Sequence, residues 1–440
     1  QAELVPLLYC QSPSTAFLQL ARCRGQAENS VLAATLKQVL AERPAYEKRL
    51  TRLEDAARLS RLVMEDPELA WKMFGWKGAV REMRRYVLSR VEPGSRFLVL
   101  SRQGGERVMQ LSPSQIEKFF RCRFSYFCRY GLHLRPRTRA ELNPLARGNT
   151  VHYLLEQVLR EKDFLTLSEK ALRQKIRQHL SRYLDEVMGG ASDKPARFLY
   201  YYQRLQDTIY GILSALQKEL AQTEFEVAGL EESISQGGII EPLRVQTPDG
   251  TILVEGKVDR VDWAELDGQR YVRVIDYKTG RQKFSLEEAS QGMGLQMLLY
   301  LFAIWQSREG KYQDLLPAGV LYLPARSQTP NLDRYESPSG NRYRMNGLVL
   351  SDQRVLRAME RDLGGQFLPV KELKKGEIKG SYQVSLEEFG QLRDQAGELI
   401  ARMVQELICG RIAPEPQASD NRLPCTFCDY RSICGREGKD

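Results

Sequence analysis

Apolar residues recur along this chain in two rhythms, and the change between them divides it. Between residues 28 and 64 they fall at helical spacing, with Leu32, Leu36 and Leu40, then, past a break at Pro44, Leu53, Ala56, Leu59 and Val63. That spacing, with charged residues between, predicts amphipathic helices. A further helical stretch contains Trp71 and Trp76, and residues 79–87 set Arg81, Arg84 and Arg85 among apolar positions. Polar residues at 101–107, with a Gly-Gly pair, predict a linker. Residues 1–105 therefore read as one helix-rich segment and residues 106–440 as a second domain. Ser112-Pro113-Ser114-Gln115 predicts a helix start, with Ser112 as N-cap, Pro113 at the first helical position and Gln115 completing a capping box. Residues 151–222 keep helical spacing through Leu154, Leu155, Val158 and Leu159, and form a large helical insertion.

From residue 225 the rhythm shortens. Strands are predicted at 225–230 and 239–245, then a hairpin over 253–280, where β-branched and aromatic residues flank a turn at Asp267-Gly268. A helix is expected over about 286–306, a buried strand in the proline-bounded run 317–324, and a helix over 386–408 ending at Gly410. The second domain is thus α/β, a mixed sheet flanked by helices.

The hairpin carries the chemistry. Asp259 lies in its first strand, while Asp276 and Lys278, two residues apart at the end of its second, share a face. A carboxylate pair offers hard oxygen ligands for Mg²⁺, which would acidify a bound water and neutralise a pentavalent phosphate; the lysine would orient the water or stabilise developing charge. Acid-x-Lys in a strand is also an ordinary solvated face, so flanking residues matter: GKVDRVD before, VIDYKTG after, and Gln296 and Tyr300 in the following LQMLLY.

This constellation resembles the RecB-like branch of the PD-(D/E)XK nuclease superfamily. The resemblance implies Asp259 and Asp276 as metal ligands, Lys278 as the catalytic lysine, and Gln296 and Tyr300 near the DNA strand. RGNTVHYLLE supplies the family's G-x-x-x-H helix, in which His152 joins the metal site.

Eight cysteines are too few for a secreted disulfide scaffold of 440 residues. Cys425, Cys428 and Cys434 cluster near the C-terminus, and three thiolates leave a tetrahedral site incomplete. Cys122 is the candidate fourth ligand, with Cys128 its rival; zinc and iron-sulfur both suit such a set. One cysteine before the nuclease motifs and three after resembles the iron-sulfur members of the branch, which implies a [4Fe-4S] cluster on Cys122, Cys425, Cys428 and Cys434. Cys10, Cys23 and Cys409 read as small buried hydrophobes.

Net charge is +9, from 65 basic and 56 acidic residues. That suits a polyanionic partner without specifying one. Seven arginines between 121 and 147, Arg135, Arg137 and Arg139 among them, interleave with Phe124, Tyr126, Phe127 and Tyr130. Arginines can fork onto phosphates and aromatics can stack on bases, although the aromatics would serve a core equally well. No 18-residue apolar run and no Walker-type Gly-Lys-Ser/Thr motif occurs. The chain opens at Gln1 with no visible signal peptide, and is expected to be part of a longer cytoplasmic protein. The resemblance extends to the nuclease domain of bacterial helicase-nucleases, implying residues 1–105 as the C-terminal tail of a helicase-like region, single strands and duplex ends of DNA as substrate, and a second helicase-nuclease chain as partner. A CRISPR-adaptation-type iron-sulfur exonuclease, a DNA-binding module with a non-catalytic nuclease fold, and a small-molecule hydrolase are the alternatives.

Overall fold

The computed structural model describes residues 12–23, 30–65, 101–103, 106–135, 144–190, 196–280, 284–326, 343–374, 376–380, 382–418 and 423–434. They belong to two compact units, Gln1–Val87 and Leu88–Asp440. In the first, α1 (Pro13–Cys23), α2 (Ser30–Ala41) and α3 (Pro44–Glu65) close around Ala16, Leu20, Leu32, Leu36, Leu40 and Leu50. Pro44 opens α3, where its missing N–H costs nothing. Trp71, Trp76 and the arginines of 79–87 lie outside the described residues.

The second unit begins with an antiparallel pair, β1 (Ser101–Gln103) and β2 (Glu106–Leu111). Residues 101–103 and 106–107 are therefore strand-forming and not the linker that their polarity predicted. Next come α4 (Pro113–Arg121), which has the expected Ser112–Gln115 capping box, and α5 (Arg123–Tyr126), which runs into a π-helical turn at Phe127–Gly131. The helical insertion is α6 (Pro144–Leu159), α7 (Glu169–Met188) and α8 (Ala196–Leu220). The strands β3 (Glu226–Ile234), β4 (Leu243–Thr247), β5 (Gly250–Val254), β6 (Gly256–Leu266) and β7 (Gln269–Lys278) follow. The predicted strand at 239–245 thus starts only at Leu243. The β6–β7 turn is as predicted: Asp267 and Gly268 have φ of 53° and 76°, the double positive φ that a right-twisted two-residue hairpin requires.

The helix expected at 286–306 is two helices, α9 (Leu286–Ser290) and α10 (Gln296–Gln306). Gly292 and Gly294 between them take φ of 88° and 66°, which no continuous helix accommodates. β8 (Leu315–Pro324), β9 (Asn346–Leu350), α11 (Gln353–Met359), β10 (Val370–Glu372), β11 (Ile378–Gly380), β12 (Gln383–Val384) and α12 (Leu386–Ile408) complete the unit. Its main sheet has the order β12-β9-β8-β7-β6-β3 and is mixed, with β7 parallel to β8 and antiparallel to β6. A second sheet has the order β1-β2-β5-β4. α10 is apolar all round, buried from Met297 to Ile304, as a helix enclosed on every side must be.

Charge is also buried inside the main sheet. On β6, Arg260 forks onto Asp262, with Nε–Oδ1 at 2.7 Å and Nη2–Oδ2 at 2.6 Å. Arg273 of β7 donates to the same carboxylate at 2.9 Å. Glu219 of α8 accepts from Arg260 at 3.1 Å and from Arg273. All four side chains are essentially inaccessible. Burial works against the Glu219 carboxylate, but the two guanidiniums more than reverse it and hold its pKa below the usual range. Two positive and two negative charges balance, which is how such a group survives out of water. Asp262→Ala would leave two guanidiniums facing one carboxylate. It is expected to cost about 3–5 kcal/mol of stability, measured as a fall in urea midpoint; a change under about 1 kcal/mol would show that the network relaxes freely.

Candidate active site and cysteine nest

The β6–β7 register that pairs Arg260 with Ile275 brings Asp259 across from Asp276. Asp259 Oδ2 accepts from the Tyr277 amide at 2.8 Å. Lys278 Nζ stands 2.8 Å from Asp276 Oδ2 and 5.3 Å above the Tyr322 ring. The shared face expected of Asp276 and Lys278 is present. α6 delivers His152, whose Nδ1 lies 3.2 Å from Asp259 Oδ2 and whose Nε2 lies 2.9 Å from the Tyr277 carbonyl oxygen. α10 delivers Gln296, with Nε2 3.5 Å from both Asp276 Oδ1 and the Tyr300 hydroxyl. Tyr300 in turn accepts from the Lys257 amide at 3.5 Å. Its ring fits only because residue 256 is glycine: a Cβ there would sit 2.5 Å from Cε1.

One acid of the site carries no sequence signal. Glu231 of β3 lies opposite Asp259 of β6, since Leu230 pairs with Arg260 and Glu232 with Val258. It takes φ of 53°, an uncommon and strained conformation for a residue with a side chain. Its carboxylate is 2.7 Å from Lys257 and 3.7 Å from His152. Alternation in the β3 sequence marks a strand, but not which of its acids faces Asp259. A bulge at 227–229 shifts the register, and no local signal reports it.

Three carboxylates and three basic groups meet in the site. Burial pulls the His152 pKa down, yet hydrogen bonds to Asp259 and Glu231 and the charge of Asp276 push it up to about 10. Burial and then the Asp259 charge raise Asp276 to about 6, against the pull of Lys278. Burial also opposes the charged form of Glu231, but His152 and Lys257 hold its pKa below the normal value. Buried oxygens of Glu231 and Asp276 (Oε1 and Oδ2) lack an aligned hydrogen bond.

These residues fit a divalent cation. Ligand atoms of His152, Glu231 and Asp259 lie within 4.8 Å of one another, and an imidazole beside hard carboxylate oxygens is a usual donor set. His152, Asp259, Asp276 and Glu231 would hold the ion, which would supply an acidified water and charge neutralisation at phosphorus. The site opens on a cleft of about 590 Å³ lined by His152, Glu231, Lys257, Lys278 and Thr279 among others. Within it the two ammonium groups can hold phosphate oxygens.

A separate group forms around α4 and α5. Cys128, Phe124 and Tyr430 are buried together, with Cys122, Cys428 and Cys434 packed against them. Cys425 lies near enough for its charge to act on Cys122. Both upstream candidates thus reach the C-terminal triplet. Burial raises the Cys122 thiol and pushes Cys128 up to about 11. Arg123 fastens the same junction, binding Glu406 through two nitrogens and Glu415 at 3.1 Å. Thiols from two ends of the domain are thereby gathered in one region of it. Cys409 is exposed, which corrects its reading as a buried hydrophobe; it follows α12 at the surface. The side chains of Cys10 and Cys23 lie outside the described residues.

The arginine-rich stretch divides. Phe124, Tyr126 and Phe127 are buried, with Tyr126 edge-on to Phe119 at 5.6 Å. They are core and not base-stacking surfaces. Arg135 is exposed; Arg137 and Arg139 lie outside the described residues.

Sheet, carboxylates and lysine define a nuclease architecture, and the family comparison agrees. Residues 110–435 match the PD-(D/E)XK nuclease superfamily, and the chain belongs to that superfamily of metal-dependent nucleases. Among curated proteins it is similar to the B subunit of the ATP-dependent helicase/deoxyribonuclease of Clostridium acetobutylicum, 27% identical over 376 residues, covering 82% of this chain and 32% of that protein. Proteins of the same description from Clostridium novyi and Clostridioides difficile are each 29% identical, covering 74% of this chain and 30% of theirs. The chain spans about a third of the length of these relatives. Among the described residues no helix is long and apolar enough to cross a membrane.

Glu231→Gln is expected to weaken divalent-cation binding about tenfold or more, the scale on which residues around a metal act. Titration calorimetry with Mn²⁺ measures it. Unchanged affinity would take Glu231 out of the site.

Proposed function

We propose that this domain hydrolyses DNA phosphodiester bonds with Mg²⁺ held by His152, Asp259 and Asp276 together with Glu231, with Lys278 acting on the attacked phosphate or its water, and Gln296 and Tyr300 lining the strand's path. The observation that carries the reading is that three separate elements bring Asp259, Asp276, Lys278 and His152 together beside a cleft that His152 and Lys278 line.

The names of the relatives support a finer proposal. The domain is the nuclease part of an AddB-type chain, cutting one of two unwound strands in a cytoplasmic bacterial helicase-nuclease that resects double-strand breaks, with AddA as partner. The long insertion between His152 and the sheet favours this over a CRISPR-adaptation exonuclease. Arg135, Arg137 and Arg139 would track the phosphates of single strands and duplex ends. A [4Fe-4S] cluster on Cys122, Cys425, Cys428 and Cys434 would tie together segments about 300 residues apart, closing a loop whose entropy otherwise favours the unfolded chain.

Asp276→Ala should abolish Mg²⁺-dependent cutting of single-stranded DNA while leaving DNA binding intact, since the basic surface is untouched; Lys278→Ala should do the same. An Asp276→Ala protein that cuts at the normal rate would sink the assignment. For the nest, Ala at Cys122, Cys425, Cys428 or Cys434 should lower iron content and melting temperature together, and Cys409→Ala should change neither. Full iron in Cys122→Ala with loss in Cys128→Ala would move the fourth ligand to Cys128.

A further inference from the structure

The helix that carries Gln296 and Tyr300 starts badly on its own. Its N-cap position is Leu295, which makes no side-chain cap bond, and an uncapped first turn leaves amide hydrogens without acceptors. The acceptor comes from 179 residues upstream: the Gln296 amide donates to Glu117 Oε1 of α4 at 3.4 Å. A carboxylate there also faces the positive end of the helix. α4 grips the preceding loop as well. The Phe120 ring lies against Gly292 so closely that a Cβ would sit 2.3 Å from it. Five residues beyond Glu117, about 7.5 Å along a helix axis, α4 ends at Cys122 in the cysteine nest.

We propose that Glu117 is a positioning residue for the nuclease reaction: it caps α10 from outside and, through the rigid span of α4, makes the placement of Gln296 depend on an intact cysteine nest. The inference rests on the nuclease reading above. It explains why an acid is kept half-buried in this position. Burial raises its pKa, opposed by the Gln296 amide, Arg121 and Lys278. It also explains why the nest sits at the end of this helix. Gln296 stands at 3.5 Å from Asp276 and from Tyr300, contacts that a small tilt of α10 would break. Displacements of about 1 Å near reacting groups can cost up to about 100-fold in rate.

The test uses the full chain, as Glu117→Ala and Glu117→Gln, with three readouts: steady-state cutting of single-stranded DNA with Mg²⁺, hydrogen exchange of the segment 293–300, and iron content. Glu117→Ala should lower kcat about tenfold, leave KM within about twofold, and speed exchange in 293–300 about tenfold, with iron retained. Glu117→Gln keeps an oxygen acceptor and should recover most of kcat and protection. Cys434→Ala should speed exchange in the same segment, although it lies in the nest. Unchanged kcat and exchange in Glu117→Ala would overturn the proposal. So would a Gln variant that is as slow as Ala with normal exchange, because Glu117 would then act through charge and not as a cap. Protected 293–300 amides in Cys434→Ala would overturn the link to the nest. Should the unmodified protein fail to cut DNA, the nuclease reading falls, while the exchange data still decide whether Glu117 caps α10.

Discussion

The buried set of Arg260, Asp262, Arg273 and Glu219 fixes the frame on which everything else in the nuclease unit hangs. A hydrophobic strand can slip by a residue and still bury something apolar; these strands cannot. Moving β7 one place against β6 would take Arg273 from Asp262 and turn it to the opposite face, leaving a buried charge alone. The same register decides that Asp259 and Asp276 face each other. The network sits on one face of the hairpin and the site on the other, so the cost of misalignment on the first protects geometry on the second.

The two faces handle charge in opposite ways. Behind the sheet the count is neutral and the ion pairs are short. In front, Asp259, Asp276 and Glu231 crowd together beside Lys278, Lys257 and His152, and the acids raise the His152 pKa above an ordinary imidazole's. Lys257 answers Glu231 but is itself more than half exposed, so solvent screens much of its effect. That crowding of carboxylate oxygens, held in place by the rigid pairing behind it, makes a cation welcome at the front.

How much of this is legible in sequence follows from the range of each interaction. The hairpin turn, the capping box at Ser112 and the Asp276–Lys278 face are local, and period and turn chemistry specify them within a few residues. Linking His152 to the hairpin needs the family motif, because 107 residues of mostly helical chain separate it from Asp259. Glu231 gives no sign of itself because a bulge, invisible in local composition, sets its alignment. The stretch 286–306 reads as one helix because apolar spacing runs through it, although Gly292 and Gly294 stand in plain view. Phe124, Tyr126 and Phe127 mislead for a different reason: aromatic residues among arginines look alike whether they face a strand of DNA or a core. The polar residues at 101–103 and 106–107 mislead for the converse reason, since β1 and β2 satisfy backbone groups and say little through their side chains.

The joining of Cys122 and Arg123 to the far end of the domain also has a consequence in time. Arg123 finds its carboxylates at Glu406 and Glu415, and Cys122 its neighbours from Cys425 onward, about 300 residues later in synthesis. At a ribosomal pace of about 5–20 residues per second, roughly 15–60 s pass between the emergence of the first half of this junction and the second. For that interval Cys122, Arg123 and Cys128 exist without their partners. The junction can close only once the residues from Glu406 to Cys434 have been made, so it is a late event in the assembly of the domain.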